Sequence, residues 1–185
     1  MLENYSDTEL LNRIKADDAQ ALGVLFNKYY QQLCRFTFVF LPEYKIVEEL
    51  SANVFISLWE NKEHILIYNS LKAYLYRSAK NQVISYLRKQ KIKMTPFDEY
   101  VDFAGESNSN PEAIYIEREL NTEFIQAFHK LPSRAKLAFR LHRFDGLKYT
   151  EIAEVMNVSV SAVEKNISSA LKILHHELVV KAKNY

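Results

Sequence analysis

Between Leu71 and Lys93 the chain carries seven lysines and arginines and no acid. Tyr74, Tyr76 and Tyr86 stand among Lys72, Arg77, Lys80, Arg88 and Lys89. Aromatic rings interleaved with cations suit a nucleic-acid strand, because bases stack on the rings while ammonium and guanidinium groups meet phosphates. On a helix, Lys72, Tyr76 and Lys80 fall one turn apart, with Arg77, Asn81 and Arg88 beside them. Lys72, Tyr76, Arg77, Lys80, Asn81 and Arg88 are therefore expected to contact nucleic acid. The plainer alternative, that the tyrosines are core and the cations only solubilise, is preferred for Tyr74 and Tyr86.

A second pattern lies in Tyr149 to Leu174, YTEIAEVMNVSVSAVEKNISSALKIL. It reads as a helix-turn-helix. Thr150 is expected to cap a short helix that buries Ile152, Ala153 and Met156. Asn157-Val158-Ser159 forms the turn, with Val158 pointing inward. Ser159 or Ser161 caps the next helix, and Ser161-x-x-Glu164 has capping-box spacing. Val163, Ile167, Ala170, Leu171 and Leu174 make its apolar stripe at steps of three and four. The opposite face holds Ser161, Ala162, Glu164, Lys165, Ser168, Ser169 and Lys172. Short or cationic side chains let a helix approach a DNA groove closely, and a glutamate can accept a hydrogen bond from a cytosine amino group.

Nothing in the chain suggests catalysis. His64, His129, His142, His175 and His176 do not pair with Cys or carboxylates at metal-ligand spacing on one helix face. Glu48-Glu49 and the Glu117/Glu119 pair read as solvated faces. Three glycines, Gly23, Gly105 and Gly146, are too scattered for a phosphate loop or a dinucleotide fingerprint. The expectation is a non-enzyme with no metal, cofactor or small-molecule substrate. The single Cys34 allows no internal disulfide and fits a reducing cytoplasm. The acidic, polar start is unlike a signal peptide, and no apolar run approaches the ~20 residues of a membrane span.

The elements that must position these residues are all helical. Ser6-x-x-Glu9 opens a short helix with Leu10, Leu11 and Ile14. Asp17-x-x-Gln20 opens a longer one with a stripe of Leu22, Leu25, Phe26, Tyr29, Leu33, Phe36 and Phe40, ended by Pro42. A third runs from about Lys45 to Trp59, and a fourth from about Ser70 to Lys91. Periodicity then fails, and the acidic MTPFDEYVDFAGESNSNP reads as a linker. Pro111 restarts a helix, Leu131-Pro132 breaks it, and Gly146 stops the one that follows. The expectation is an all-α chain in two domains, 1–92 and 111–185, with a linker at 93–110.

Charge follows the same division. The formal net charge is only +1, yet Met94 to Ile125 holds eight acids against Arg118, and Leu131 to Tyr185 holds nine basic residues against five acids. The basic, acidic, basic order favours nucleic acid contact at two separate places.

VFISLWENKE with SLKAYLYRSAKNQVISYLRKQK resembles region 2 of the extracytoplasmic-function (ECF) sigma factors. LPSRAKLAFRLHRFDGLKYTEIAEVMNVSVSAVEKNISSALKIL is similar to their region 4, and the flavour is that of the iron-citrate-regulator type common in Bacteroidetes. The resemblance covers roughly Asp17 to Leu178. It implies a promoter-specificity subunit of bacterial RNA polymerase. Glu48, Glu49, Asn53 and Trp59 would face core polymerase, and the loop Asn61 to Ser70 would hold a flipped-out base. Lys72, Tyr76, Arg77, Lys80, Asn81 and Arg88 would hold the −10 region. Ser161, Glu164, Lys165, Ser168, Ser169 and Lys172 would face the −35 region. The acidic linker would thread the polymerase RNA-exit path, and an anti-sigma factor would act by covering the inner faces of the two domains. The chain departs from relatives in the segment Glu49 to Phe55, where a usual acid and a Gln ahead of Val54 are replaced, and at Ser169, which is often Arg.

Two other readings compete. A stand-alone helix-turn-helix regulator would share the C-terminal pattern but would not need the Leu71–Lys93 block. An all-helical enzyme or interaction module would need reactive or apolar clusters that the sequence does not display.

Overall fold

The computed structural model describes residues 5–90 and 122–180, and every regular element among them is a helix. These are α1 (Asp7–Lys15), α2 (Ala19–Phe38), α3 (Tyr44–Glu60), α4 (Leu71–Lys89), α5 (Thr122–His129), α6 (Ser133–Arg143), α7 (Tyr149–Met156) and α8 (Val160–His175). A π-helical turn, His176–Val180, extends α8. The linker expected at 93–110 and the helix start at Pro111 lie outside the described residues. α1–α4 belong to one compact unit. α5, α6, α8 and the start of α7 belong to a second.

In the first unit, helix starts follow side-chain chemistry. Ser6 and Glu9 form the full capping box: the Glu9 amide donates to Ser6 Oγ at 3.3 Å, and the Ser6 amide donates to Glu9 Oε2 at 2.7 Å. The Ser6 hydroxyl, donating to Glu9 Oε2 at 2.7 Å, and then the Ser6 amide hold the Glu9 carboxyl below its ordinary range. The second start is shifted by one residue from the expected place. Asp17 takes the left-handed conformation (φ 64°), and Asp18 caps α2, accepting from the amides of Gln20 and Ala21 at 3.0 and 3.3 Å. An unbranched Asp tolerates positive φ better than most residues, so Asp17 makes the corner and leaves the capping to its neighbour. Arg13 closes the corner with a 2.7 Å ion pair to Asp18.

The core between α2, α3 and α4 is apolar and aromatic. Leu25, Leu33, Phe36, Val54, Leu58, Leu75 and Val83 are fully buried. α2 supplies the expected stripe, except that Leu22 and Phe26 are only partly covered. Phe26 stacks on Tyr30 and tilts against Phe55, with centroids at 4.4 and 5.0 Å. One polar pair is buried here, Ser51 Oγ donating to Thr37 Oγ1 at 3.4 Å between α3 and α2. An unpaired hydroxyl would cost about 1–3 kcal/mol at such a site, so each satisfies the other.

The second unit packs α5 and α6 against α8. Ala127, Leu131, Ala135, Phe139, Ala170 and Leu174 form its buried cluster, flanked by Phe124, Phe128, Ile173 and Leu178. The small alanines on facing helices let the axes approach, and the phenylalanines fill the space beside them. Lys136 is buried, and its ammonium donates to the His129 carbonyl at 3.2 Å, satisfying the end of α5. α6 stops at Arg143, ahead of Gly146 at φ 66°, a conformation glycine adopts without strain.

Candidate nucleic-acid interface

α8 presents its outer face as the spacing requires. Ser159 is the cap, accepting from the Ala162 amide at 3.2 Å; Ser161 lies inside the helix, exposed. The turn before it is made by Asn157 in the left-handed conformation at φ 55°. Val163, Ile167, Ala170 and Leu174 are buried, so the opposite row faces outward. Glu164, Lys165, Ser168, Ser169 and Lys172 together line one shallow, open depression. Five of the six residues expected at a DNA groove thus share one surface feature, with Ser161 exposed a turn earlier.

Two readings of this motif need correction. Leu171, expected in the apolar stripe, is 54% exposed. It lies on the row Glu164, Ser168, Leu171, His175, whose steps of four, three and four keep one outer face. Thr150 does not cap α7. It is exposed one residue inside the helix, and the start is closed by the Lys148 amide donating to Glu151 Oε2 at 2.7 Å.

α4 differs more from expectation. Ser70 caps it, accepting from the Ala73 amide at 3.0 Å; Leu71, Leu75, Ala79, Val83 and Leu87 are buried, and Tyr74 and Tyr86 are half-buried. Tyr76, however, is fully buried, its ring 5.1 Å from that of Phe36. Lys80, one turn on, is buried too. Neither presents its ring or ammonium to a strand outside. The reason is geometric: residues spaced strictly by four drift about 40° per step, so the stripe from Leu75 to Leu87 sweeps a wide arc. Lys72 and Tyr76 fall within that arc and Lys80 about 20° beyond its edge, and Lys72 is half-buried. Arg77, Asn81 and Arg88 lie on the far side, where Asn81 and Arg88 are exposed and Arg77 is half-buried.

This far side is aromatic as well as cationic. The Arg77 guanidinium sits 5.8 Å from the Tyr68 ring and 5.9 Å from the Tyr74 ring. Burial raises the Tyr74 hydroxyl above its ordinary pKa, opposed by the Arg77 charge, so the phenol stays a neutral donor. Tyr68 is 72% exposed and Leu66 is 68% exposed, both in the loop between α3 and α4. Sequence reasoning named that loop but not these side chains. The signal was present: two large apolar residues in a polar loop have no helical stripe to join.

On α3, Glu48 and Glu49 are exposed, while Asn53 and Trp59 are half-buried. Ile56, which the sequence reading passed over, is exposed on the same side as Glu48 and Glu49. Among the described residues no group of His, Cys, Asp and Glu is arranged to hold a metal, and no helix is long and apolar enough to cross a membrane.

Comparison with known proteins finds relatives for both helical units. The family model of sigma-70 region 2 matches residues 25–92, and that of sigma-70 region 4 matches residues 121–174. The ECF RNA polymerase sigma-E factor of Escherichia coli K12 is 25% identical over 188 residues, covering 96% of this chain and 97% of that protein. Its counterpart in Haemophilus influenzae is 24% identical, covering 96% and 98%. Among solved structures, CnrH in complex with the cytosolic domain of CnrY has a TM-score of 0.65 at 19% identity, covering 93% of this chain and 96% of that one. The sigma factor RpoE of Bartonella quintana, solved with the anti-sigma factor NepR, has a TM-score of 0.54 at 15% identity, covering 83% and 93%. Helices α2–α4 therefore carry region 2 and α5–α8 carry region 4, and a chain built this way belongs to the sigma-70 family as an ECF sigma factor, a protein that directs transcription initiation.

Proposed function

We propose that the chain docks on core RNA polymerase through the outer face of α3 and directs it to promoters by two weak DNA contacts. Glu48, Glu49, Asn53 and Trp59, with Ile56 among them, form the polymerase face. Arg77, Asn81 and Arg88, with Lys72 at the start of α4, hold the −10 region. Tyr68 and Leu66 in the 61–70 loop meet an unstacked base. Ser161, Glu164, Lys165, Ser168, Ser169 and Lys172 face the −35 major groove. Tyr76 acts as core rather than as a stacking platform. The acidic segment 93–110 serves as the linker. The chain works in the cytoplasm without catalysing a reaction, and it is held in check by an anti-sigma factor, the kind of partner bound to the Bartonella RpoE. The iron-citrate-regulator type remains the finer assignment favoured by the sequence.

What carries this reading is the outer face of α8, where five of the expected residues line one depression. That face offers only Lys165 and Lys172 as cations, and Glu164 repels phosphates. Duplex affinity is therefore low until polymerase joins both contacts on one body and makes the second intramolecular. Run-off transcription with core polymerase on genomic DNA should give discrete starts. Gel shifts at physiological salt should show weak duplex binding by the chain alone. Tight, sequence-specific binding without polymerase, with two half-sites one helical turn apart, would identify a stand-alone regulator instead.

A further inference from the structure

We propose that Lys15, Asp17 and Lys62 are positioning residues, which fix the root of the 61–70 loop so that its exposed tip meets the promoter base at a set angle. The inference rests on the reading of that loop as the base-holding element. Lysine ammonium groups are ordinarily solvated and mobile. That of Lys62 is held from three directions. It lies 3.0 Å from Asp17 Oδ1, 4.4 Å from the centre of the Trp59 ring, and donates to the Trp59 carbonyl at 3.3 Å. Its side chain is 15% exposed, whereas that of Asp17 is 75% exposed. Three residues further on, the Lys15 ammonium donates to the Ile65 carbonyl at 3.4 Å, and the Ile65 side chain is buried.

These contacts converge on one short stretch. The α1–α2 corner supplies Lys15 and Asp17, the end of α3 supplies Trp59, and the segment from Lys62 to Ile65 is what they clasp. Asn61 adds a second tie to α3, its side-chain amide donating to the Ser57 carbonyl at 2.9 Å. Leu66 and Tyr68 follow at once and project outward. A fixed root with an apolar, aromatic tip acts as a finger, and its reach is set by the root. Asp17 is the sensitive member. Its backbone is left-handed, and its exposure makes the ion pair to Lys62 weak and open to salt screening.

The test uses the full chain with core polymerase, on a promoter obtained from run-off mapping and on its single-base −10 variants. The readout is base discrimination, the ratio of transcript from the promoter to that from each variant. Polymerase co-elution and melting temperature are measured alongside. Asp17→Asn keeps a residue tolerant of positive φ and removes the charge, so the fold is retained. Lys62→Met keeps the chain length over Trp59 and removes the cation. Each is expected to lower discrimination about threefold while leaving co-elution unchanged. The double variant should be no worse than Lys62→Met, because Asp17 acts through Lys62. Lys62→Arg should restore discrimination. Tyr68→Ala is the control on the loop itself. If Tyr68→Ala abolishes discrimination while Asp17→Asn and Lys62→Met keep it, the anchoring inference fails. If Tyr68→Ala also leaves discrimination intact, the reading of the loop fails, and the anchoring inference with it.

Discussion

α4 and α8 carry the two candidate DNA surfaces, and they are built from opposite chemistries. α4 and the loop before it offer guanidinium groups among rings: Arg77 beside Tyr68 and Tyr74, then Asn81 and Arg88. α8 offers serines, a glutamate and two lysines along one shallow depression. Rings need unstacked bases to pair with, so the first surface suits an opened strand. Short side chains bring a helix axis close to base edges, so the second suits an intact groove. The difference matches a division of labour in which one unit opens DNA and the other reads it closed.

The comparison breaks most sharply at Tyr76. If the ring belongs to the core, Tyr76→Ala should cost about 3–5 kcal/mol of stability, as for other large-to-small changes at buried aromatics. The salt dependence of DNA binding by the polymerase complex should stay unchanged. Arg77→Ala and Arg88→Ala should do the reverse: little loss of stability, and a salt slope lower by about one for each phosphate contact removed. Urea unfolding and salt titrations of promoter binding check the pair. A Tyr76→Ala protein of normal stability with weakened opening would return the ring to the DNA face.

On α8 the corresponding change is Glu164→Gln. A carboxylate accepts from a cytosine amino group, whereas an amide pairs with adenine, so the variant should shift preference from cytosine toward adenine at one −35 position. The expected discrimination is about 1–3 kcal/mol. Transcription from a promoter library randomised at −35 reads this directly. A uniform loss at all positions would make Glu164 a structural or phosphate-repelling residue only.

What the sequence made legible differs between the same two helices. The inward stripe of α8, apart from Leu171, uses mixed steps of three and four, which keep to one side. Ser161, Glu164, Lys165, Ser168 and Lys172 are accordingly exposed, while Ala162 and Ser169 are half-buried. In α4 the apolar residues step by four throughout, so the stripe winds and takes Tyr76 into its arc, with Lys80 buried beside its edge. Charge and aromatic content alone placed them outside, because a tyrosine or a lysine stem can be covered as readily as an aliphatic chain. Ile56 escaped notice since exposure along a helix is decided by the tertiary packing around a residue, not by its type, whereas Leu66 and Tyr68 were overlooked although large apolar residues in a polar loop mark themselves. The starts of α1 to α4 were legible to within one residue, and that of α7 to within two. The capping box at Ser6 was unambiguous, whereas at Asp17-Asp18 and Ser159-Ser161 two equivalent side chains competed, and backbone conformation chose between them.

That choice is testable at the smaller scale of single caps. Ser159→Ala should cost about 1 kcal/mol, because it leaves the Ala162 amide without its acceptor, whereas Ser161→Ala, exposed inside α8, should be close to neutral. Equal effects at both positions would mean that the capping-box reading at Ser161 had been the right one.

The smallest expected effect separates two kinds of helix start by pH. The starts of α1 and α2 rest on carboxylates: Glu9 in the capping box, and Asp18, which is held below its ordinary range by the Arg13 side-chain hydrogen bond. The start of α8 rests on the Ser159 hydroxyl, which does not titrate in this range. A carboxyl whose pKa is depressed by folding contributes stability above its unfolded value, about 3.9 for Asp and 4.3 for Glu. The contribution is lost as pH falls through the lower folded value. Thermal melts of the protein and of Asp18→Asn should therefore differ at pH 7 and converge as pH falls below that of the unfolded carboxyl. Melts of the protein and of Ser159→Ala should keep their separation over the same range. Convergence in both pairs would mean that acid acts on the whole chain through its net charge, and not through the carboxylates at the starts of α1 and α2.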